Sequence, residues 1–221
     1  MRMNYRQIQA IAVGLIVATA IMAGQACAAK SARDRMRAAA PVIADAVNAI
    51  DDTEFEIYRS GAVPSYDKAA HDAVGLKVTA LLYASRAYTR AVRAGLVADA
   101  NTEMDGLKAA VRDLESAIPR LEPLHGNLMK AIDALRLLLP DTVGTLTEPP
   151  GLLLAQTNGA MGVLALLQLA LNLIASNRTS VERILGHLKA EGATDEELDA
   201  VEAATTGRIH RREEEHGTDA G

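Results

Sequence analysis

Apolar residues along this chain recur at spacings of three and four, and no stretch shows the sustained alternation that a half-buried strand requires. The pattern predicts helices. A first one is expected over residues 39–59, with Pro41 in its first turn and Gly61 just past its end. Ile43, Val47, Ile50 and Ile57 supply its buried side, and Asp51, Asp52, Glu54 and Glu56 its solvated side, with cation binding as the sharper alternative. Ser65 is expected to cap a second helix over 66–94, stopped by Gly95. In it Ala69, Ala73, Leu76, Ala80, Tyr83 and Ala87 form a small-residue seam suited to close helix packing, with Val74, Val78, Leu81, Tyr88 and Val92 alongside.

The third helix, over 102–118, has the most regular pattern. Met104, Leu107, Val111, Leu114, Ile118 and Leu121 alternate steps of three and four, the seam of a coiled-coil-like bundle. Pro119 breaks or kinks it, and the rhythm resumes through Leu124, Leu128, Ile132, Leu135 and Leu139, so 123–139 is expected to be a fourth helix or a bent continuation of the third, ended by Pro140.

From Pro149 to Asn177 the chain carries no charge, and residues 152–175 have about the length of a membrane span, about 20 residues. Asn158, Gly162, Ala165, Gln168, Asn172 and Ser176 fall on one side of this helix, a seam for helix packing or a pocket, and bulky apolar residues occupy the other. The amides of Gln156, Asn158, Gln168 and Asn172 favour a buried bundle helix over a span. Shorter helices come next, over 180–191 and 195–206, the second opened by the capping box Thr194-x-x-Glu197. The fold expected is all-α: an antiparallel bundle of about four to five main helices and a short C-terminal helical pair, preceded by an N-terminal signal or anchor helix. Its divisions are 1–28 for the signal or anchor, 29–177 for the bundle, 178–206 for the short helices and 207–221 for a disordered polar tail.

The N-terminus supplies an address. Arg2 and Arg6 precede the apolar run 8–22, and Ala26, Cys27 and Ala28 present the small-residue pattern of a processing site, the layout of a bacterial export signal. Cleavage there removes the chain's single cysteine. Lipidation of Cys27 is the minor alternative, because Gly24-Gln25-Ala26 departs from the usual lead to a modified cysteine. Retention as an anchor is a third outcome, and Lys30, Arg33, Arg35 and Arg37 directly after the run oppose translocation of the segment that carries them. A cell-envelope location is expected, periplasmic or inner-membrane associated.

Charge and composition then exclude function classes. The net charge of −5 falls to −7 once residues 1–28, whose only charges are Arg2 and Arg6, are removed, so nucleic-acid phosphates are poor partners. Arg208, Arg211 and Arg212 form a basic cluster that Glu213, Glu214 and Glu215 are expected to neutralise. Tryptophan is absent and Phe55 is the only phenylalanine, leaving little for stacking platforms. No phosphate loop, nucleophile elbow or zinc helix is present, and among His71, His125, His187, His210 and His216 no two share a helical face at short spacing. Two Glu-x-x-His strings, Glu122 to His125 and Glu213 to His216, lie at a helix start and in the polar tail, where a di-metal bundle site is not expected. No catalytic residue, cofactor or metal is assigned. The sequence supports a non-enzymatic envelope bundle acting through protein or membrane interaction, including self-association through helix faces, with membrane contact through 8–29 and, more weakly, 152–175. A periplasmic ligand binder or enzyme is the alternative, its pocket near Gln168, Asn172 and Ser176 with Tyr83 or Tyr88.

Overall fold

The computed structural model describes residues 32–139 and 193–217, and every regular element among them is helical. There are five such helices: α1 (Ala32–Ser60), α2 (Lys68–Ala94), α3 (Val97–Ala117), α4 (Leu124–Leu138) and α5 (Asp195–Gly217). The regions expected to hold the N-terminal signal or anchor, the processing residues Ala26, Cys27 and Ala28, and the seam from Asn158 to Ser176 lie outside the described residues. Among the described residues no helix is long and apolar enough to cross a membrane.

Central to the arrangement is α1. From Ala39 to Asp51 each of its residues is buried, which is what a helix surrounded by neighbours on all sides requires. Ala39, Ala40, Ala44, Ala46 and Ala49 keep its girth small, so flanking helices approach its backbone closely. It begins seven residues earlier than the pattern predicts, and Pro41 lies inside it rather than in its first turn. α2 runs antiparallel to α1: Glu54 meets His71 near one end, and Arg33 reaches Gly95 near the other. Asp67 caps α2 by accepting a hydrogen bond from the Ala70 amide at 2.9 Å, the role expected of Ser65. Gly95, at φ 72°, ends α2 in the left-handed conformation that a side chain would strain. Leu96 then turns the chain directly into α3, which packs back along α2.

Met104, Leu107, Val111 and Leu114 of α3 are buried as their spacing predicts, as are Leu124, Leu128, Ile132 and Leu135 of α4. The α4 helix lies chiefly against α1, and Arg136 joins its end to Glu115 of α3 at 2.7 Å. One feature of α2 is inverted. Val74, Val78, Leu81, Tyr88 and Val92 are buried, whereas Ala69, Ala73, Leu76, Ala80 and Tyr83 of the expected packing seam face outward. The larger side chains won the core because each removes more apolar surface from water than an alanine does.

The last helix differs most from expectation. The capping box is formed, with the Thr194 amide donating to Glu197 and the Glu197 amide to the Thr194 hydroxyl. The helix then continues through Gly207, where the polar tail was expected to begin, as far as Gly217. α5 lies parallel to α1, with Arg37 on Asp195 at 2.6 Å near its start and Arg212 on Asp51 at 2.7 Å near its end. Against α2 it is antiparallel, through Arg93 with Asp199, Arg90 with Glu202, and Tyr83 with Glu213.

Candidate functional site

The principal buried constellation of ionisable groups among the described residues lies where α5 meets α1 and α2. The α1 segment Asp51-Asp52-Thr53-Glu54 supplies the acids. Asp51 and Glu54, three residues apart on one helical face, are both fully buried, which corrects their expected place on a solvated side; Glu56 alone of the four is exposed. Arg212 is also fully buried and spans the pair: its Nε donates to Asp51 Oδ1 at 2.7 Å and its Nη2 to Glu54 Oε2 at 2.5 Å. Arg211 donates to Asp51, and Arg208 donates to Asp52 at 2.6 Å. The basic cluster is therefore engaged by acids of α1, which the sequence pattern does not indicate.

Glu54 is the most heavily engaged group. Its Oε1 accepts from the Tyr66 hydroxyl at 2.5 Å and contacts His71 Nδ1 at 2.6 Å, while Oε2 takes the arginine. A carboxylate can only accept, so His71 presents its Nδ1–H toward it. The imidazole is stacked on the Tyr58 ring, with centroids 3.7 Å apart and the two planes nearly parallel at 3°. Phe55 lies below the arginines, with the Arg211 guanidinium 4.8 Å and that of Arg212 5.3 Å from its ring centroid. The pairs of Arg212 with Asp51 and Glu54 are fully buried beside these rings, whereas Arg208, Arg211 and Asp52 keep partial exposure.

Burial alone would raise the Glu54 carboxyl, but the His71 hydrogen bond, the Arg212 charge and the Tyr66 hydrogen bond outweigh it and hold the group below its ordinary value of 4.5. Burial and the adjoining Glu54 push the Tyr66 phenol well above its usual range, so it remains a donor. For Arg212, burial works against the charge, yet Asp51 and Glu54 more than restore it. Because Glu54 titrates lower folded than unfolded, its contribution to stability is complete above about pH 4.5 and is lost as pH falls through its folded value. The melting temperature is therefore expected to decline on acidification below that point, and less steeply in Glu54→Gln. A melting temperature that rose over the same acid range would refute this.

Chemically the arrangement is a closed clasp. Each Glu54 oxygen is occupied, and its lowered proton affinity makes it a weak base. The other candidate residues that the structure describes do not join it. Tyr83 is exposed on α2 and bonded to Glu213, whereas Tyr88 is fully buried. Glu122 and His125 approach to 3.8 Å at the start of α4, at partly exposed positions, and His210 contacts Glu213 at 3.4 Å. Among the described residues no three metal-ligating side chains gather.

A signal for the clasp was present in the sequence. Leu198, Val201, Thr205, Ile209 and Arg212 continue one helical stripe at steps of three and four, which places Arg212 on the inward face of a helix extended beyond Gly207. Nothing local identifies its partners, which lie 158 and 161 residues away. No family model matches this chain, and no curated protein or solved structure matches it.

Proposed function

We propose that this chain is an exported, non-enzymatic helical-bundle protein of the bacterial cell envelope that acts by binding a protein or membrane partner through its helix faces. The observation that carries the non-enzymatic reading is the clasp: Asp51, Glu54, His71 and Arg212 are engaged with one another beside Phe55 and Tyr58, an arrangement that fastens α5 onto α1. The address rests on the N-terminal sequence, with its basic start, apolar run and Ala26-Cys27-Ala28 processing pattern.

Fractionation of the tagged protein in a bacterial host, with carbonate extraction and mass spectrometry of the N-terminus, tests this reading. An envelope product is expected, either soluble with an N-terminus near Ala29, or membrane-retained with the apolar run intact or with a lipid mass on Cys27. Recovery of the unprocessed chain in the cytosol would overturn the proposal.

A further inference from the structure

The outward stripe of α2 is complementary to itself. Ala69, Ala73, Leu76, Ala80 and Tyr83 are exposed and Ala87 is half-buried, with Leu76 at 60% and Tyr83 at 40% of full exposure. Alternating steps of four and three keep these residues in one line, about 27 Å long at a rise of about 1.5 Å per residue. Along that line Ala73, Ala80 and Ala87 alternate with the larger Leu76 and Tyr83. Leu76 is the most exposed of the large apolar residues described, and it stands at the middle of the stripe.

We propose that this stripe docks against the same stripe of a second copy of the chain, the two α2 helices running antiparallel about a two-fold axis. In that register Leu76 of each copy meets Ala80 of the other, Tyr83 meets Ala73, and Ala69 meets Ala87. Each large side chain then enters the space left by an alanine, twice over by symmetry. A parallel, in-register pairing would instead set Leu76 on Leu76 and Tyr83 on Tyr83 with alanine layers between, alternately crowded and underfilled.

Charge favours the same orientation. Asp72 and Arg86 lie along the same edge of the stripe, and the antiparallel register brings Asp72 of each copy beside Arg86 of the other. In the single chain Asp72 pairs with Lys68 at 3.0 Å and the Arg86 guanidinium sits 4.8 Å from the Tyr83 ring centroid. The pair of Lys68 with Asp72 is a surface contact of small worth. The proposal rests on the interaction reading above and names self-association as its partner. A single helix stripe of this length is at the small end of specific interfaces, about 1,200 Å² in total or less, so a weak, reversible dimer is expected.

Sedimentation equilibrium of the full-length chain from micromolar to millimolar concentration tests it. A reversible dimer is expected, weakened at least tenfold by Leu76→Glu, a change at an exposed position that leaves the helical circular dichroism intact. Both proteins carry the same N-terminal 31 residues, so association through that segment would be equal in the two. Asp72→Arg and Arg86→Asp are each expected to weaken the dimer several-fold, and their combination to restore it. A wild-type chain that stays monomeric, or a Leu76→Glu chain that dimerises equally well, would overturn the proposal; a combined variant no better than the single ones would overturn the antiparallel register. A cytosolic result in fractionation would leave the dimer standing, and a monomer would leave the export reading standing.

Discussion

Arg212→Ala is expected to destabilise the protein by about 3–5 kcal/mol, the range for breaking a buried ion pair from one side. The loss is large because Asp51 and Glu54 would remain at full burial with their shared cation gone. Arg211 retains its hold on Asp51, and Tyr66 and His71 still donate to Glu54, but nothing else in the cluster replaces the guanidinium between the two acids. Neutralising both sides together isolates the charge effect: Arg212→Met with Asp51→Asn and Glu54→Gln should recover most of the lost stability, since a buried charge pair removed whole is often close to neutral. Urea denaturation midpoints of the three proteins provide the measurement. A cost below about 1 kcal/mol for Arg212→Ala, the level of an exposed pair, would show that the cluster is wet and dispensable.

The second large effect compares two leucines of one helix. Leu81→Ala should cost about 2–5 kcal/mol, the usual range for emptying a fully buried leucine site, whereas Leu76→Ala should stay within about 0.5 kcal/mol. Periodicity alone puts Leu76 in the packed seam with Leu81 alongside it and does not rank the two for exposure. Equilibrium unfolding of the two variants under the same conditions distinguishes the faces, and comparable losses at both positions would mean that the outward stripe is packed in the monomer.

The two leucines also mark where the fold is legible in residue patterns and where it is not. α3 and α4 are legible because each carries one narrow apolar line against polar flanks, so Leu107, Val111 and Leu114, or Leu128, Ile132 and Leu135, have one inward direction. α2 carries two lines, one of alanines with Leu76 and Tyr83 and one of larger residues about half a turn away, and periodicity alone ranks neither. α1 is harder again. Its acids resemble a solvated face because carboxylates are seldom fully buried without partners, and the partners lie at the far end of the chain. Arg212 falls in an expected polar tail for a related reason: a run of arginines and glutamates has the composition of a solvated segment, while the inward stripe through Leu198, Val201, Thr205 and Ile209 is its only mark of burial. The closing group Tyr66 and the stacked pair Tyr58 and His71 depend on the turn between α1 and α2, and no spacing rule connects them.

The pairing of α1 with α5 also imposes an order on biogenesis. A ribosome makes the acids of α1 long before the arginine that answers them, Arg212 lying 161 positions after Asp51. Chains interrupted before residue 208 carry the acids of α1 with none of the α5 arginines that pair with them, whatever the state of α2, α3 and α4. Such fragments are therefore expected to open more readily than the full chain and to be degraded faster.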